Sequence, residues 1–126
     1  MTNDPMTAVD AAQSEPIPVP SGQLVTLLDV IWNEQGPEGL TFRFRFLAPQ
    51  ISRDGGTVEY EVAAGDMMHL CKEYALPRLP NTGPVPQQII ISLSDRPVPF
   101  GESAPEATQF FEAFGFENDN CIWEMY

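Results

Sequence analysis

The stretch Leu40-Thr41-Phe42-Arg43-Phe44-Arg45-Phe46-Leu47 decides the fold class. On an extended chain, Leu40, Phe42, Phe44 and Phe46 point one way while Thr41, Arg43 and Arg45 point the other. Strict alternation with period two is the mark of a β-strand with one face buried and one face wet. Downstream, Asp54-Gly55-Gly56 is a turn signal. Thr57 to Val62 then alternates again, with Val58, Tyr60 and Val62 inward and Glu59 and Glu61 outward. The expectation is an antiparallel hairpin in which Arg43 and Arg45 face Glu59 and Glu61, each cross-strand pair contributing about 0.2–1 kcal/mol. Upstream, Leu24 to Trp32 is a strand candidate, followed by a loop over 33–39.

Further strands follow in the second half. Gln88 to Ser94 contains Ile89-Ile90-Ile91-Ser92-Leu93, the best candidate for a central, well-buried strand. Thr108 to Phe116 and Cys121 to Tyr126 read as two more, joined by the turn Glu117-Asn118-Asp119-Asn120. Between the two groups, Met67, Leu70, Cys71 and Tyr74 recur at i, i+3, i+4 and i+7, the stripe of an amphipathic helix. Asp66 is its expected N-cap, and Leu76-Pro77 its expected end. Pro77 to Pro86 and Asp95 to Pro105 are stiff proline-rich loops. Strands and helices do not alternate regularly, so a parallel sheet is not expected. The reading is an α+β, two-layer fold: a mainly antiparallel sheet of five or six strands with one packed helix. Residues 1–19, ending in Glu15-Pro16-Ile17-Pro18-Val19-Pro20, read as a disordered acidic and proline-rich tail. Residues 20–126 form the single domain.

The chain has 126 residues, and 18 acidic side chains against 6 basic ones give a net charge of −12. Both ends, 1–40 and 97–126, carry acids and no Lys or Arg, whereas 41–96 is balanced. A phosphate backbone is repelled by such a surface, so nucleic acid is not an expected partner. No apolar run is long enough to cross a membrane as a helix, so no membrane insertion is expected. No basic and apolar leader opens the sequence. The expected location is the cytoplasm if the chain is complete as written, and the periplasm if a leader has been removed.

Few residues suggest chemistry. Cys71, on the helix stripe, and Cys121, on the inward face of the last strand, both point to the helix–sheet interface. In an oxidising compartment they would pair, closing a 50-residue loop; in the cytosol they would remain two small buried hydrophobes. No C-x-x-C motif exists. His69 and Cys71 diverge on a helix and form no local dyad. One His and two Cys at this spacing make no zinc site, and the turn at 117–120 lacks the spaced ligands of a calcium loop. No nucleophile elbow, dinucleotide loop or phosphate loop is present. No cofactor or metal is expected, and no catalytic residue stands out. Phe110, Phe111, Phe114 and Phe116 read as core, with any exposed member forming an interaction patch. Arg78, Asn81, Asp95 and Arg96 are the candidate binding residues, with Arg96 suited to clamping a carboxylate.

Several segments are distinctive together: Val19-Pro20-Ser21-Gly22-Gln23, Phe42-Arg43-Phe44-Arg45-Phe46, Ala75-Leu76-Pro77-Arg78, Asn81-Thr82-Gly83-Pro84, Ile91 to Val98, Ala107 to Ala113, and Cys121-Ile122-Trp123-Glu124. Over residues 19–126 the chain resembles an uncharacterised family of small alphaproteobacterial proteins, a domain of unknown function. Members often begin with an export leader and keep both cysteine positions. The resemblance implies a periplasmic protein with a Cys71–Cys121 disulfide. The resulting expectation is a non-enzymatic exported accessory or protein-binding module, with the loops 77–88 and 95–107 as contact surface. The alternative is a small-molecule binder or small enzyme with a site near Asp95, Arg96 and the 77–86 loop. A homodimer formed through a sheet edge is a third reading.

Overall fold

The computed structural model describes residues 15–36, 39–80, 83 and 86–124. Strands β1 (Thr26–Gly36) and β2 (Gly39–Leu47) form an antiparallel hairpin. A 3-10 turn (Pro49–Ile51) and helix α1 (Tyr60–Leu70) follow. The chain returns as β3 (Gln88–Ser94), β4 (Gln109–Glu117) and β5 (Asn120–Trp123). The five strands lie in sequence order, β1-β2-β3-β4-β5. The fold is α+β, and the sheet is mixed: β2 and β3 run parallel, and the other neighbours antiparallel.

That parallel pair corrects the expected hairpin. A parallel neighbour requires the chain to travel back along the seven residues of β2 that pair with β3, about 23 Å. The helix does this. It begins at Tyr60 and continues beyond Leu70 through a π-turn (Cys71–Ala75) and a 3-10 turn (Leu76–Arg78), nineteen residues in all. At about 1.5 Å per residue that spans roughly 28 Å, whereas a helix starting at Asp66 would fall short. Thr57–Val62 is therefore not a strand. Tyr60, Ala63, Ala64 and Met67 already stand at helical spacing, and this longer pattern outweighs the brief alternation around Glu59 and Glu61. Arg43 and Arg45 face neither glutamate. Arg43 lies level with Ile31 and Ile90, and Arg45 with Asp29 and Ser92.

The helix packs on one face of the sheet. Phe42, Phe44 and Phe46 of β2 and Ile89, Ile91 and Leu93 of β3 are buried beneath Ala63, Met67, Leu70, Cys71 and Ala75. Each large side chain so buried contributes roughly 1.5–3 kcal/mol. Phe114 joins this core, and Phe110 and Phe116 are packed against it, whereas Phe111 is exposed. β4 turns into β5 through Asn118 and Asp119, at φ 53° and 64°. This is the left-handed pair that a two-residue hairpin demands.

Asp66 is not an N-cap. It sits in the second turn of α1, 1 % exposed. Its carboxylate accepts the Ser21 amide at 3.0 Å, the Ser21 hydroxyl at 2.5 Å and the Gln23 side-chain amide at 2.8 Å. A buried carboxylate needs such donors. The latch holds the N-terminal segment against the helix, and Val19 and Ile17 pack into the core there. Ile17 and Val19, from the end of the expected tail, thus pack against the core; residues 1–14 lie outside the described residues, as do Met125 and Tyr126 of the expected last strand.

Candidate functional site

Among the described residues, no helix lies over the second face of the sheet. Because level residues on neighbouring strands share a face, its surface reads in rows. One row is Asp29, Arg45, Ser92 and Phe111; the next is Ile31, Arg43, Ile90 and Ala113; a third is Thr41, Gln88, Gly115 and Ile122. Phe111 is 64 % exposed and Ile122 46 %. Gly115 leaves room for Glu124: a Cβ there would come within 2.9 Å of a carboxylate oxygen at the flexible end of that side chain. That carboxylate instead accepts the Gln88 side-chain amide at 3.2 Å.

One loop crosses this face. Residues 95–107 leave β3 and return to β4 with their ends tied together. Asp95 N–H donates to Thr108 O, and Thr108 N–H donates to Asp95 Oδ1, both at 3.0 Å. Arg53 holds the returning limb from the side, donating to Pro105 O, to Ala107 O at 3.3 Å and to Thr108 Oγ1 at 3.4 Å. Arg45, buried in the sheet, holds the outgoing limb by donating to Val98 O. Its other amino group pairs with Asp29 at 2.8 Å. At the tip, Phe100 lies across both arginines, 5.4 Å from the Arg43 guanidinium and 5.5 Å from that of Arg45. Phe100 remains 47 % exposed. Beneath it a polar cleft of about 140 Å³ is lined by Arg43, Arg45, Ser92, Glu102 and Gln109. The result is a rigid aromatic and arginine platform running from Phe100 past Ser92 to Phe111.

The residues singled out from the sequence are scattered. Asp95 is a pin at the loop base. Its side chain is 2 % exposed and pairs with Arg96 at 3.1 Å. Burial pushes its carboxyl upward, but the Arg96 guanidinium, the Thr108 amide and the Ser52 hydroxyl together hold it below its ordinary value. Arg96 is held above its own ordinary value by Asp95. Arg78 ends the helix, stacked 3.6 Å over the Tyr74 ring and donating to Tyr74 O at 3.0 Å. Asn81 lies outside the described residues. Arg78, at the end of the helix, precedes β3, and Asp95 follows it. The sulfurs of Cys71 and Cys121 stand at disulfide distance, 2.06 Å, and tie the π-turn to β5. Sequence reading missed Phe100, whose signal was an aromatic placed among prolines.

Among the described residues, no group of three or more His, Cys, Asp or Glu side chains could hold a metal ion, and no helix is long and apolar enough to cross a membrane. The model of a family of unknown function, DUF6497, matches residues 4–126. The chain belongs to that family. No curated protein and no solved structure matches it. For this DUF6497 chain, the chemistry of the site therefore rests on its own residues.

Proposed function

We propose that the chain is a non-enzymatic protein-binding module of an oxidising compartment, which docks a protein partner on the sheet face opposite the helix. The observation that carries this reading is Phe111, 64 % exposed and set beside the Phe100 platform on a loop that is fastened on three sides. Aromatic and arginine side chains dominate the binding energy of protein interfaces. A surface held in place before contact loses little entropy on binding. The paired cysteines support an oxidising compartment, and the resemblance to exported alphaproteobacterial proteins extends the reading to the periplasm.

The test is site-specific photo-crosslinking from position 111 in native cells, with position 62 on the helix as control. One defined partner captured from 111 and not from 62 is expected. Phe111→Ala should then weaken the purified complex at least tenfold, about 1.4 kcal/mol, without changing the melting temperature by more than a few degrees. Equal capture from both positions, or unchanged affinity, removes this reading.

A further inference from the structure

A second surface lies on the helix side. Between the end of the helix and the segment Glu15–Pro18 runs a cleft of about 600 Å³. That volume is within the range of small-molecule sites. Its walls are fixed. The disulfide anchors the π-turn on one side, and the Ser21–Asp66 latch fastens the proline segment on the other. Single π-turns inside helices are often found at functional sites. Here the π-turn widens the helix where Leu70, Glu73 and Tyr74 line the cleft.

The lining has a definite chemistry. Pro16, Ile17 and Pro18 give it an apolar side. Arg78 lies flat on Tyr74, and one of its donors is used by Tyr74 O. A guanidinium has five N–H donors, so a planar edge remains for a carboxylate. Glu73, in contrast, has no hydrogen bond or ion pair among the described residues, and neither does His69. An oriented cation and an uncommitted carboxylate thus share one apolar-sided cleft. With Glu15 on the rim, the acids outnumber Arg78 when His69 is neutral.

We propose that this cleft binds an amino-acid-sized zwitterion, a free α-amino acid or the equivalent short peptide, with its carboxylate on Arg78, its ammonium on Glu73 and its body over Ile17 and Pro18. The excess of acid favours a basic ligand over an acidic one. This site is independent of the sheet face, and either can fail without the other.

The test is an NMR titration of the full chain with L-lysine, L-leucine, L-glutamate and the dipeptide lysyl-leucine, followed at the amides of 69–79. Saturable shifts are expected with lysine and leucine, at least several-fold weaker with glutamate. Acetylating the ammonium or amidating the carboxylate of lysine should each weaken binding tenfold or more. Arg78→Gln should abolish the preference for the free carboxylate, and Glu73→Gln the preference for the free ammonium. Both positions are exposed, and an otherwise unchanged spectrum confirms the fold. Tighter binding of the dipeptide than of lysine identifies a peptide terminus as the ligand source; the reverse identifies the free amino acid. No saturable shift with any probe at 10 mM (on the order of the weakest useful affinity), or binding that ignores both variants, overturns the proposal.

Discussion

Ser21 grips Asp66 with two donors at once, its amide at 3.0 Å and its hydroxyl at 2.5 Å, across 45 residues of chain. The pair is what converts the first described segment into a wall of the domain. Asp66→Ala would leave the buried Gln23 side-chain amide and the part-buried Ser21 donors without their acceptor, at a cost of about 1–3 kcal/mol. Urea unfolding should show that loss in the midpoint. Ser21→Ala removes one donor and should lose about 1 kcal/mol, since the backbone amide remains.

Joining Cys71 to Cys121 closes a loop of 50 residues. In the chain-entropy description such a loop stabilises the fold by about 4 kcal/mol. The double variant Cys71→Ala with Cys121→Ala should unfold at markedly lower urea than the oxidised protein, and adding reductant to the wild type should produce a similar drop. Intact mass after alkylation of natively expressed, denatured protein gives the redox state directly. No reactive thiol is expected; two reactive thiols would place the chain in a reducing compartment and remove the export reading.

Asp95 contributes to stability in a way that depends on pH. Its carboxyl is held below its ordinary value of 3.8 in the folded state. The unfolded chain therefore binds the proton more readily, and the contribution is fully present above about pH 4 and lost as pH falls through the folded value. Asp95→Asn should lower the unfolding free energy at pH 7 by the worth of a charged hydrogen bond, roughly 1.5–3 kcal/mol, and the melting temperature with it. The gap between variant and wild type should narrow steadily below pH 4. A gap that is constant from pH 7 to pH 2 would show that the charge is not what matters.

The sheet's core was legible in the sequence because it depends on local pattern alone. Phe42, Phe44 and Phe46 alternate with arginines, and every one of these phenylalanines is buried. Met67, Leu70 and Cys71 were legible for the same reason. Strand order was not, because it is set by which strands meet, and the β2–β3 parallel pairing turned an apparent strand at 57–62 into the start of a long helix. The site was partly legible. The loop at 95–107 announced itself by its prolines; that Asp95 ties its base to Thr108, with Arg96 paired to it, was not legible. The Phe100 contact to Arg43 and Arg45 joins residues more than fifty positions apart, and no local signal encodes it.

Glu112 gives the opposite pH behaviour from Asp95. It lies level with Ile91, on the face of β4 that the helix covers, between Phe110 and Phe114. Burial raises its carboxyl above the ordinary 4.5. Ionised, it therefore disfavours the folded state, because the folded chain holds the proton more tightly than the unfolded one. The penalty is absent below about pH 4.5, grows as pH rises through the folded value and is complete above it. Glu112→Gln removes the charge and keeps the shape. Its melting temperature should exceed that of the wild type at pH 7, and the two should converge below pH 4.5. Phe111, the next residue along the strand, faces the other side of the sheet, so this variant should leave crosslinking from position 111 unaltered. A stabilised variant with unaltered capture from position 111 would separate the covered face, which holds the fold, from the opposite face, the proposed docking surface. A variant that loses stability at pH 7 would mean that the carboxylate has a favourable partner in solution, and burial would no longer account for its raised value.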